Sequence, residues 1–148
     1  MKKLVTGILI MVVAMTTMSA QAQEEKVLTF DQLPQTAQQF IKQHYNVKSV
    51  SHVIMEDEFF SSKEYKVALA DGTELEFDSK GQWTEVDPEK GTVPNAIIPG
   101  NIRSYISKSF PNNKVEQISR SSRKYEVELT SGLDLEFDRK GKFLRIDD

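Results

Sequence analysis

Carboxylates at alternate positions are the side chains whose types and spacing bear most directly on chemistry in this sequence. Glu74, Glu76 and Asp78 recur in the same frame 60 residues later as Asp134, Glu136 and Asp138. Alternation puts each set on one face of a strand, so six carboxylates would line adjacent strands. Such an array either keeps a sheet face hydrated or forms an acidic platform for a basic protein segment or a cation. A calcium site would need carboxylates and carbonyls converging at one loop, and no loop has that spacing. No metal site and no cofactor are expected.

Two aromatic residues, Trp83 and Phe143, stand at equivalent places just after a turn. If Thr84, Val86, Leu144 and Ile146 face the core, Trp83 and Phe143 join the carboxylates on the other face as anchors for a protein partner. A bulge after the preceding glycine would instead turn them inward. Phe59 and Phe60 follow Glu56-Asp57-Glu58 and would either tip a loop used for contact or pack over a sheet edge.

Catalysis finds little support. The two histidines, His44 and His52, have no counterparts in the second half and read as surface or boundary residues. There is no Gly-rich phosphate loop, Gly-x-Ser-x-Gly elbow or His-Glu-x-x-His motif. The paired carboxylates fall on a repeated surface strand rather than in a visible cleft, and an enzyme needs its groups brought together. The chain is expected not to be an enzyme.

The elements that must position these residues are written in a repeat. Residues 65–87 align without gaps on residues 125–147 at an offset of 60, with Leu75-Glu76-Phe77-Asp78-x-Lys80-Gly81 matching Leu135-Glu136-Phe137-Asp138-x-Lys140-Gly141. Upstream, Leu33-Pro34 with Ala37, Phe40, Ile41 and Tyr45 matches Ile98-Pro99 with Ile102, Tyr105, Ile106 and Phe110 at an offset of 65. That spacing is one face of a helix, and a proline suits its first turn. Helices are predicted over about 34–45 and 99–109, followed by β-rich stretches at 47–58 and 114–120. Clear period-two alternation comes next, broken at Asp71-Gly72 and Ser131-Gly132, which read as hairpin turns. Asp78 to Gly81 and Asp138 to Gly141 read as further turns, with the aspartate capping. Each unit is then one helix and about four antiparallel strands, in the α+β class. The two units would share a sheet or pack closely, because some 60 residues bury too little core alone. Residues 89–95 read as the linker, dividing the chain into a leader at 1–22 and units at 23–90 and 91–148.

The leader has the pattern of a secretory signal peptide: Lys2 and Lys3, an apolar run from Leu4 to Met15, and Ala20-Gln21-Ala22 as the cleavage site. The run is shorter than the roughly 20 residues of a membrane span, so no stable span is expected after cleavage, and the mature chain is expected to be periplasmic or secreted. Losing Lys2 and Lys3 takes the basic residues from 19 to 17 against 22 acidic ones, and the net charge from −3 to −5. An acidic chain without basic clusters is a poor nucleic-acid binder. Having no cysteine, it has neither thiol nucleophile nor disulfide.

A helix, then Phe110-Pro111-Asn112, then Tyr125-x-Val127-x-Leu129-x-x-Gly132-x-x-Leu135-x-Phe137-Asp138-x-x-Gly141, resembles the PepSY-like, β-lactamase-inhibitor-like family of bacterial envelope proteins. The first copy carries the same pattern and ends in Gly81-Gln82-Trp83. The resemblance covers nearly all of residues 23–148. It implies helices on one face of an antiparallel sheet with the other face open, as in the β-lactamase inhibitory protein, which grips its enzyme through that face. This chain departs from the inhibitor in lacking cysteines and in its shorter units. The expectation is a non-catalytic envelope module that docks an unknown protein, including an enzyme it restrains, on the open face. The alternative is a small-ligand or divalent-cation sensor.

Overall fold

The computed structural model describes residues 24–57 and 62–147. The signal-peptide reading, Phe59 and Phe60 lie outside the described residues. Among those described, nine strands form one antiparallel sheet in which spatial order follows chain order: β1 (Glu24–Leu28), β2 (Val50–Asp57), β3 (Glu64–Leu69), β4 (Glu74–Phe77), β5 (Trp83–Asp87), β6 (Val115–Arg120), β7 (Lys124–Leu129), β8 (Asp134–Asp138) and β9 (Phe143–Asp147). Helix α1 (Gln35–His44) precedes β2, and α2 (Gly100–Ser109) lies between β5 and β6.

Period-two alternation fixes which residues reach the core. Hydrogen-bonded register aligns Val53, Val67, Leu75, Val86, Ile118, Val127 and Leu135 across seven consecutive strands. All seven are buried, and each contributes about 1.5–3 kcal/mol by leaving water. On the same face Phe40 of α1 meets Phe77 edge-on, and Tyr105 of α2 does the same to Phe137. Ala37, Ile41, Ile102 and Ile106 complete the buried helix stripes.

Each helix also rests on a turn. Asp78 Oδ1 accepts the backbone N–H groups of Lys80 and Gln82, and Asp138 Oδ1 those of Lys140 and Lys142. These turns close on Gly81 (φ +81°) and Gly141 (φ +83°). A Cβ on Gly81 would come within 2.8 Å of Pro34 Cβ and 2.9 Å of the Ala37 nitrogen, and one on Gly141 within 2.8 Å of Asn101 Cβ. Glycine is therefore required twice over, by conformation and by the closeness of the helix. Asn101 secures the second contact by donating to the Lys140 carbonyl at 2.9 Å.

Two elements differ from expectation. Strand β1, with no alternation of its own, pairs with β2 because the register sets Val27 beside Ile54 and Leu28 beside Val53, using the backbone edge rather than an apolar face. Residues 89–95 are not a free tether: Val93 is buried and its N–H donates to the Val115 carbonyl at 2.8 Å, while Ile97 and Ile98 enter the core.

Candidate functional site: the open sheet face

The face away from the helices is built by the alternate set of residues. Register runs one row unbroken across the sheet: Val27, Ile54, Lys66, Glu76, Glu85, Ser119, Glu126, Glu136 and Arg145. Two residues along each strand lies a second row, in which Glu74 pairs with Asp87, Glu128 with Asp134, and Asp134 with Asp147. From β4 to β9 carboxylates outnumber every other type in both rows. Lys66, Lys124 and Arg145 are the cations placed among them, and they lie in or beside the first row only.

Of the residues singled out from sequence, Glu74, Glu76, Asp134 and Glu136 stand on this face. Asp78 and Asp138 lie at its margin, where their Oδ1 atoms cap turns. Trp83 and Phe143 require correction. Phe77 pairs with Trp83 whereas Glu76 pairs with Glu85, so Thr84 is an extra residue in β5; the same shift sets Phe137 opposite Phe143 and Glu136 opposite Arg145. These bulges reverse the parity of the first residue of each strand and turn both rings to the helix side. Trp83 is 9% exposed, near Phe40 and Tyr125, with the Arg120 guanidinium 4.1 Å over its ring. Phe143 stacks on Tyr105 with ring centroids 4.6 Å apart. Neither can serve as an anchor on the open face.

Glu85, Asp87, Glu126, Glu128 and Asp147 were not singled out, although the alternation in Tyr125-Glu126-Val127-Glu128-Leu129 carried the signal for two of them.

The two halves of the face are electrostatically unlike. Glu136, 5% exposed, accepts from Lys124 Nζ at 2.7 Å and from Arg145 Nε at 2.9 Å, and Lys124 also pairs with Glu126. Lys124 first and then Arg145 hold the Glu136 carboxyl below the usual carboxylate range. At the position equivalent to Arg145 the first half has Glu85, which faces Glu76. Burial first, then the charge of Glu76 and the hydrogen bond shared with it, push Glu85 up to about 7, while a hydrogen bond donated by Gln117 opposes the rise. Glu76 itself has Lys66 at 3.9 Å, but Lys66 lies closer to Glu56, at 3.0 Å.

In the second row, burial and neighbouring carboxylates raise Asp87, Glu128 and Asp134. Glu126, Glu128, Asp134, Glu136 and Asp147 line a depression of about 250 Å³ together with Gln117 and Ser119. Its lining is mostly polar, and it offers charge and hydrogen bonding rather than an apolar pocket. Among the described residues no group of three or more His, Cys, Asp or Glu side chains is arranged to hold a metal ion.

A single open antiparallel sheet of nine strands with two helices, carrying a carboxylate-rich face, defines a mixed α/β protein. The chain belongs to the family described as "Putative beta-lactamase-inhibitor-like, PepSY-like", whose model matches residues 18–61 and 63–145. No curated protein matches the sequence. Solved structures do. A "putative calcium-regulated periplasmic protein" of Bacteroides thetaiotaomicron is 42% identical, with TM-score 0.79, covering 84% of this chain and 97% of its own. A "putative periplasmic protein" of Bacteroides vulgatus is 39% identical, with TM-score 0.80, covering 86% and 99%. A second from the same species, of unknown function, is 36% identical, with TM-score 0.79, covering 84% and 100%. In keeping with these relatives, the protein is periplasmic.

Proposed function

We propose that this protein is a non-catalytic periplasmic binding module, made of two copies of one helix-and-strands unit, that docks a protein partner on the open sheet face. The partner presents a basic segment. The observation that carries this reading is the double row of carboxylates over β4 to β9, in which the second row has no cation of its own. Like charges held on one rigid face raise the potential there, speed encounter with a cationic surface and select against acidic ones. The lost aromatic anchors matter: with no large apolar group at its centre, the face recognises by charge and hydrogen bonding, so binding should depend on ionic strength.

A second reading, a divalent-cation response, is favoured by the description of the 42%-identical relative as calcium-regulated and by the raised carboxylates around the depression, which a cation would relieve. One pair of measurements separates the two. Protein docking predicts capture of a partner from periplasmic extract that weakens as salt is raised. A calcium site predicts a melting temperature that climbs on adding Ca²⁺ but not on adding the same ionic strength of NaCl. If neither effect is seen, the face is a solvated surface and the proposal fails.

A further inference from the structure

Strand β9 is one edge of the sheet and β1 the other. Strand β1 exposes Val27 (77%) but carries Glu24, Glu25 and Lys26 in succession before it, a charged run that discourages strand pairing. Strand β9 exposes Leu144 (52%) and Ile146 (44%) and has one basic and one acidic residue, Arg145 and Asp147, flanking Ile146. Among the described residues no strand pairs with its outer side.

We infer that β9 is a self-association edge, where a second copy of this chain adds its own β9 antiparallel about a two-fold axis at Ile146. In that register Ile146 meets Ile146 of the other copy on the helix side. On the open face Arg145 of each copy faces Asp147 of the other, so both cross-strand charge pairs are attractive, and opposite charges placed across antiparallel strands stabilise the pairing. The arrangement is isologous and closes at two copies, joining the two sheets into one and making the acidic faces contiguous. Arg145 keeps donors for the new pair while holding Glu136, because a guanidinium has five N–H donors and its side chain is 64% exposed. Asp147 makes none of the ion pairs that hold Glu136, although its charge acts on Arg145 of its own strand and on Asp134. The inference stands on the edge strand alone and does not need the open face to bind a partner.

The test is sedimentation of the exported, processed protein over a wide concentration range. The native chain should show a monomer–dimer equilibrium. Arg145→Asp makes the two facing positions 145 and 147 both acidic and Asp147→Arg makes them both basic, so each alone should weaken dimerisation by roughly tenfold. The deciding arm is their equimolar mixture. In a mixed pair every facing position is again oppositely charged, so a heterodimer should form that neither variant forms by itself. Circular dichroism of each variant establishes that it is folded; should Arg145→Asp unfold through loss of its bond to Glu136, Arg145→Glu replaces it in the same mixing design. A native chain that stays monomeric throughout, or a dimer indifferent to both substitutions, overturns the inference, as does a mixture that behaves as the sum of its parts.

Discussion

Glu85 and Arg145 occupy equivalent places, and the choice of residue at that place decides whether the neighbouring glutamate is neutralised or opposed. Arg145 bonds Glu136; Glu85 faces Glu76, whose charge and hydrogen bond add to burial in raising it. A carboxyl whose folded value lies above its unfolded one binds more protons folded than unfolded between those values. Its ionisation therefore costs stability as pH rises from 4.5 to about 7. Glu85→Gln should remove that cost: the variant should melt like the native protein below pH 4.5 and more stably above pH 7. The gain, on the order of 1–2 kcal/mol, allows for solvent screening of a half-exposed group, and thermal melts across that range will show it. A variant less stable at pH 8 would contradict the assignment. Tyr45 offers a second residue-scale case. Its hydroxyl is buried with no hydrogen-bond partner among the described residues, and burial first, then Asp71, pushes it up to about 12. The matching residue after α2 is Phe110, so Tyr45→Phe should raise stability by roughly 0.5–1.5 kcal/mol by removing an unsatisfied polar atom. Denaturant titration would detect it.

At the scale of elements, the turn glycines and the bulges govern how helices meet the sheet. Gly81→Ala must force a Cβ against Pro34 and the Ala37 backbone at positive φ, and should destabilise by about 2–4 kcal/mol in chemical denaturation, compared with under about 1 kcal/mol at an unstrained exposed site. Trp83→Ala should cost about 3–5 kcal/mol, because the ring is core and a platform for Arg120 rather than an exposed anchor; an unaltered melting curve would restore the surface reading. These elements also mark how far the sequence could be read. Both helices fell within a residue or two of their places, because Ala37, Ile41, Ile102 and Ile106 sit at helical spacing beside a proline. The β4 and β8 carboxylate parity was equally clear, since Leu75, Phe77, Leu135 and Phe137 leave one consistent inward set. Trp83 and Phe143 defeated the same logic. A bulge adds one residue without changing composition, so Thr84 and Leu144 look like ordinary strand positions, and only pairing against Phe77 and Phe137 reveals the shift. Strand β1 was illegible for a different reason: it joins through its backbone to β2, a partner more than 20 residues away, and Glu24-Glu25-Lys26 has no apolar period. That Glu85 opposes Glu76 was equally hidden, because it depends on cross-strand neighbours.

For the whole molecule, the nine-stranded order sets two faces apart, one sealed by helices and one carrying charge toward solvent. The second row, Glu74, Asp87, Glu128, Asp134 and Asp147, spans both halves of the chain, so a basic ligand lying across the strands would touch both. Complex formation should weaken several-fold for each doubling of salt between about 0.05 and 0.4 M, with most of the change in the association rate, measurable by surface plasmon resonance once a partner is in hand. The most direct test is affinity capture from periplasmic extract with three folded baits: the native protein, Glu126→Gln/Glu128→Gln on the open face, and Glu24→Gln/Asp31→Asn away from it. The last two each lose two carboxylates, so the comparison turns on position. A partner held by the native chain and by the distant variant, and lost by the open-face variant, is the result this account predicts. A partner held equally by all three, or lost equally by both variants, would place recognition away from the acidic face and contradict it.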